Sequence, residues 1–217
     1  MTIHRLVYAA ALAAGLSGAT SAEVRHPKSL LAMSPERFRA ATTLLDDPLE
    51  FHATFSTQKA HREGFGLFKG NGHDNHLRAI VDKATGQTRY EVRTQVRYYG
   101  AQRAYRAAHF ATAAGLQRAP LTLEHDSLEP CGTNDNNANL NCALTKTIAF
   151  ELDEAAVRWI AAHDQRGWSF KLKDDAGEDI RTAIVPAEAA GLLKAVDEYR
   201  ARLRPTQLSS GSGPRIG

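Results

Sequence analysis

Between Arg89 and Tyr98 the side chains alternate without a break. Tyr90, Val92, Thr94, Val96 and Tyr98 fall on one face of an extended segment, and Arg89, Glu91, Arg93, Gln95 and Arg97 fall on the other. A helix would scatter both sets around its axis, so the segment has to be a strand with one face in a core and the other in water. Period two recurs in 49–58, 76–83, 102–110, 120–126, 142–152, 168–175 and 180–185, and the short run 64–68 reads the same way. Turn residues separate these runs: ATGQ after Lys83, Gly100, and NGHDN at 71–75, which reads as a polar hairpin tip.

Helical period returns in three places. Ser34 before Pro35 and Glu36 is an N-cap with proline at the first helical position, which predicts a helix near 35–45 with Phe38, Ala41 and Leu45 facing inward. Asp153 caps a second near 153–164, with Val157, Ile160 and Ala161 on one face and Gly167 ending it. Pro186 opens a third over 186–203 with the stripe Ala189, Leu192, Leu193, Val196 and Leu203. Consecutive strands with three interspersed helices predict an α+β fold: one curled, mainly antiparallel sheet of about 8–9 strands with the helices packed on it. Trp159 and Trp168 are expected in its core.

At the start of the chain, His4 and Arg5 precede an apolar run from Leu6 to Leu16, and Thr20 and Ala22 fit the small positions before a cut. That is the pattern of a secretory signal peptide. A membrane-crossing helix needs roughly 20 apolar residues, about twice this run. The expected organisation is a signal peptide at 1–22, one domain at 23–204 and a flexible tail at 205–217, in a periplasmic or secreted protein. In that oxidising setting the two cysteines, Cys131 and Cys142, read as one disulfide, worth on the order of 3 kcal/mol by chain entropy.

The stretches NHLRAIVDKATGQTRYEVRTQVRYYG and IAFELDEAAVRWIA resemble exported bacterial proteins that carry no assigned activity. The likeness covers about a quarter of the chain and contains no catalytic motif. It implies a periplasmic setting.

Charge is unevenly distributed along the sequence. Residues 59–118 hold eleven Lys or Arg against four acids, and residues 119–203 hold nine against fifteen. The basic strand face, with aromatics beside it, suggests a contact surface for an anionic partner built from Arg93, Arg97, Tyr99, Arg103 and Arg106. The competing expectation is a solvated sheet face neutralised by acids from the helices. Export points to an anionic envelope component or another protein as partner, not to nucleic acid, for which no recognition motif is legible.

His73 and His76, two imidazoles around Asp74, are the best metal candidates, and the alternative function they suggest is a small metal-dependent hydrolase. A third ligand would have to come from elsewhere, such as His61 or His52. Asp135, Asn137 and Asn139 start like a calcium loop, but Leu140 stands where the glycine belongs and Lys146 where the glutamate belongs. Glu124, His125, Asp126 and Ser127 are adjacent on a strand and alternate between faces, so they do not form a triad unaided. No phosphate-binding glycine loop or nucleophile elbow occurs in the mature domain, so no catalytic residue and no cofactor is assigned. The sequence-based expectation is a non-catalytic binding or envelope-accessory protein.

Overall fold

The computed structural model describes residues 28–62, 72–99, 101–128, 143–162 and 167–208. The elements run α1 (Lys28–Leu31), α2 (Pro35–Ala41), β1 (Thr43–Leu45), β2 (His52–Ser56), α3 (Gln58–Arg62), β3 (Gly72–Asp82), β4 (Thr88–Tyr99) and β5 (Tyr105–Thr112). They continue with β6 (Gly115–Pro120), β7 (Thr122–Leu128), β8 (Ala143–Leu152), α4 (Glu154–Ala161), β9 (Trp168–Asp174), β10 (Ile180–Ile184) and α5 (Pro186–Leu208). The signal peptide, the run 64–68, the Cys131–Cys142 pair and residues 209–217 of the tail lie outside the described residues, while 205–208, expected in that tail, continue α5.

The α+β class holds, but the single curled sheet of 8–9 strands does not. Two antiparallel sheets form instead: six strands in the order β1-β2-β3-β4-β8-β7, and four in the order β10-β9-β5-β6. The chain leaves the first sheet after Tyr99 and enters the second at Tyr105, then returns at Thr122, where the Leu121 amide bonds the Arg106 carbonyl at 3.1 Å. Nothing in the period-two pattern marks this crossing, because alternation reports which face is buried and not which neighbour a strand takes.

The alternation in β4 is realised. Tyr90, Val92, Thr94, Val96 and Tyr98 are each at most 2% exposed and lie on the inner face of the larger sheet. On that face Phe150 of β8 meets Phe110 and Phe170 of the smaller sheet at ring centroid distances of 5.4 and 5.2 Å. Phe55 of β2 meets Tyr199 of α5 edge-on at 5.4 Å. One core therefore joins the inner face of the larger sheet to the smaller sheet on one side and to α4 and α5 on the other.

Local signals place the helices. Ser34 accepts from the Arg37 amide at 3.4 Å and Asp153 accepts from the Ala156 amide at 2.6 Å, as N-caps should. The first helix ends at Ala41, not 45: Thr42 caps it, and Leu45 lies in β1, 71% exposed. The second ends at Ala161 with Ala162 as its cap, ahead of Gly167. The α5 stripe is as expected, with Ala189, Leu192 and Val196 fully buried. Where α5 crosses α2, Gly191 lets the backbones touch: a Cβ there would sit 2.6 Å from Phe38 Cβ and 2.7 Å from the Pro35 carbonyl oxygen.

The NGHDN segment is also corrected. Residues 72–76 are not a hairpin tip but the first part of β3, paired with Arg97 to Arg93 of β4. Asn75 is buried on the inner face, where its amide nitrogen donates to Thr182 Oγ1 and to the Ala183 carbonyl at 3.3 Å. Tertiary pairing has overridden the turn preference of these residues.

Candidate functional site

Lys146 is the least expected side chain on the inner face. It pairs across β4 with Val96 and across β7 with Asp126, so it shares the face of Ile148 and Phe150. Its side chain is 7% exposed, and its ammonium lies 2.7 Å from Asp126 Oδ2. Gln102 donates to the same carboxylate oxygen at 3.2 Å. The pair stands at the β7 edge of the larger sheet, where Leu123 and Leu128, on the same face of β7, are 54% and 62% exposed.

Beside this edge is a cleft of about 400 Å³ lined from both sheets. Leu121, Leu123, Ile148 and Tyr105 supply apolar wall, and Lys146, Arg103 and Arg106 supply positive charge against Asp126, the one acid among the described lining residues. Arg103 lies over the Tyr98 ring, 4.8 Å from its centroid, and its backbone amide donates to the Tyr98 hydroxyl at 3.0 Å. It also donates to Tyr105 Oη at 3.4 Å and pairs with Glu178 at 3.2 Å. The Tyr105 hydroxyl is pushed above its ordinary pKa by burial, against the opposing pull of Arg103. Arg106 is exposed and pairs with Asp175 at 2.8 Å.

The five residues expected to form one contact face are divided between two sides of β4. Arg93, Arg97 and Tyr99 lie on the outer face of the larger sheet, whereas Arg103 and Arg106 border the cleft on the inner side. They meet around the end of β4, where Arg97 donates to Tyr99 Oη at 3.1 Å on one side and Arg103 covers Tyr98 on the other. Lys146 was not singled out by sequence as part of a basic site. Its parity with Ile148 and Phe150 would have placed it on the core face.

The sequence segregation of charge is not kept in space. Glu124 reaches both Arg78 and Arg93, Asp175 takes Arg106, and Glu178 takes Arg103. The acids seen to neutralise the outer face among the described residues, Glu91, Glu124 and Glu151, come from strands. A bulge between Leu123 and His125 brings in Glu124, and Glu91 is buried between Arg78 and Arg89. Burial alone would push the Glu124 carboxyl up; the hydrogen bond from Arg93 and the charge of Arg78 outweigh it and hold it below the usual range.

The metal candidates are placed as follows. His73 and His76 lie three positions apart on β3, a spacing that assigns the two positions to opposite faces of a strand, and His76 is buried. His52, on β2, faces Asp82 at 3.8 Å. Among the described residues, no three His, Cys, Asp or Glu side chains gather at metal-binding distance. Trp168 is in the core, where its indole donates to the Ala111 carbonyl at 2.7 Å. Trp159 is only partly buried and lines a second cleft, of about 360 Å³, with Arg118, Glu151 and Gln117.

No helix among the described residues is long and apolar enough to cross a membrane. No protein-family model, no curated protein and no solved structure matches the chain.

Proposed function

We propose that the chain is an exported, non-catalytic binding or envelope-accessory protein whose basic end takes a negatively charged partner, an envelope polymer or an acidic protein surface. The observation that carries this reading is the convergence of Lys146, Arg103 and Arg106 on one open cleft, with apolar wall beside them. A lysine held on the core face of a sheet costs desolvation that a purely structural position avoids with leucine. Glu178 and Asp175, the partners of Arg103 and Arg106, are both well exposed and screened by water, so a ligand carboxylate, phosphate or sulfate can exchange for either at little cost. Arg97 and Tyr99 extend the same basic end around β4.

Crosslinking from this end tests the proposal. A photoreactive residue at exposed Gln95 or Gln102 is expected to capture a partner in the exported fraction, and capture is expected to fall when Arg97 and Arg106 are reversed to glutamate. Unchanged capture in that double variant would sink it. Export and the Cys131–Cys142 bridge are checked in the same preparation by mass: a chain beginning at Glu23, lighter by about 2 Da before reduction.

A further inference from the structure

Two apolar patches lie at opposite edges of the six-stranded sheet. At the β1 edge, Leu45, Leu49 and Phe51 are 71%, 90% and 82% exposed. Their loop is held firmly. The Asp47 carboxylate accepts from the Leu49 amide at 2.9 Å, the Asp47 carbonyl accepts from the Glu50 amide at 3.0 Å, and Phe51 takes the Lys83 amide at 3.0 Å. Lys83 also pairs with Asp46 at 2.6 Å. A fixed loop that projects a leucine and a phenylalanine into water is shaped for something to cover it.

Its charge narrows what that is. Residues 43–51 contain Asp46, Asp47 and Glu50 and no base, and Asp47 and Glu50 have no ion pair among the described residues. A two-fold contact would set these acids against themselves. The β7 edge offers the complement: the cleft walls Leu121, Leu123 and Ile148 beside Arg103 and Arg106.

We propose that the 46–51 loop of one copy seats in the inter-sheet cleft of the next. Phe51 and Leu49 lie against the apolar wall, and Asp47 and Glu50 lie against the two arginines, so copies join head to tail. This makes a second copy the acidic protein partner of the basic end, and it rests on that end being a contact surface. Because the loop and the cleft are different surfaces at opposite edges of one sheet, the contact is heterologous, and repeating it builds a ring or an open chain.

Sedimentation of the purified chain tests it. The wild type is expected to form species that grow past a dimer with concentration and shrink as salt rises. Phe51→Asp and Leu123→Asp, both at exposed positions, are each expected to be monomers. Mixed, they are expected to give a one-to-one dimer and nothing larger, since one intact loop meets one intact cleft. A wild type that stays monomeric to about 1 mM overturns the inference, as does a dimer that survives in Leu123→Asp. If a monomeric wild type still binds heparin, only this inference falls; if it binds neither itself nor heparin, the functional reading falls with it.

Discussion

The Lys146 ammonium lies 2.7 Å from Asp126 Oδ2, on two residues directly opposite each other across β8 and β7. They occupy a face that elsewhere carries Ile148, Phe150 and Leu152, so the pair marks where the core ends and the cleft begins.

The two halves of this pair are unequal. The Asp126 side chain is 30% exposed and can hydrate if its partner is removed, whereas Lys146 is 7% exposed and cannot. Lys146→Met is expected to change stability by no more than about 1 kcal/mol. Asp126→Asn leaves a nearly buried cation without its carboxylate and is expected to cost about 1–3 kcal/mol. Chemical denaturation of the two variants gives the order.

At the other end of the core, Glu188 is fully buried in the first turn of α5. One of its oxygens accepts from Thr57 Oγ1 at 2.5 Å and from the Leu77 amide at 3.0 Å, tying the helix to the second and third strands. Glu188→Ala removes that tie and leaves a void, and is expected to cost about 2–4 kcal/mol. Thr57→Val loses the hydroxyl alone and is expected to cost less, about 1–2 kcal/mol, since the Leu77 amide keeps its carboxylate. The reverse order in thermal melts would show that Thr57, not Glu188, holds the helix.

Gly191 sets propensity against packing. In a helix interior Gly→Ala gains up to about 1 kcal/mol of propensity. Here the new methyl would meet Phe38 Cβ, the Pro35 carbonyl and the Arg39 amide nitrogen at 2.6–2.8 Å, two of them backbone atoms that cannot swing aside. Overpacking is expected to win, so that Gly191→Ala is destabilised by about 1–3 kcal/mol with α2 displaced from α5. A stabilised variant would mean that the two helices do not approach this closely.

Stability is expected to fall at both ends of the pH scale. The hydrogen bond from Arg200 lowers the Glu154 carboxyl from 4.5 against the cost of burial, and Arg93 and Arg78 lower Glu124 although its burial opposes them. Asp46 is held below 3.8 first by Lys83, and Asp179 by Lys173. A folded carboxyl with a lowered pKa contributes stability above the unfolded value, and that contribution is lost as pH falls below 4.5 or 3.8 toward the folded one. Burial raises Tyr90 and Tyr199 from 10.0 to about 12, so their contribution is present below pH 10 and lost between 10 and about 12. Denaturation midpoints across pH read both limbs, and Arg93→Met should make the acid limb shallower.

What the sequence carried and what it did not follow from the range of each interaction. Both N-caps, the Pro186 start, the α5 stripe and the buried face of β4 depend on residues within a few positions, and all are present. The division into two sheets depends on where strands pair. Its local marks are faint: the β5–β6 turn at Ala113 and Ala114 carries no Pro, Asn or Asp, and only Gly115, at φ +95°, betrays it. The basic face was legible as a list of arginines. Its separation into an outer set and a cleft set was not, because Arg103 lies in the crossing between sheets and Arg106 just after it. Glu124 looked like one of four adjacent polar residues until the bulge turned it toward Arg93.

The central claim is that the end of the molecule carrying Arg97, Tyr99, Arg103 and Arg106 receives negative charge. The most direct measurement is affinity for heparin, as a defined polyanion at low salt, for the wild type, the Arg97→Glu/Arg106→Glu double variant and an Arg39→Glu control on α2. The account predicts binding that weakens with salt, at least tenfold weaker in the double variant, or roughly 1.4 kcal/mol, and within about twofold of wild type in the control. Equal affinity in all three, or no binding by the wild type, would contradict it.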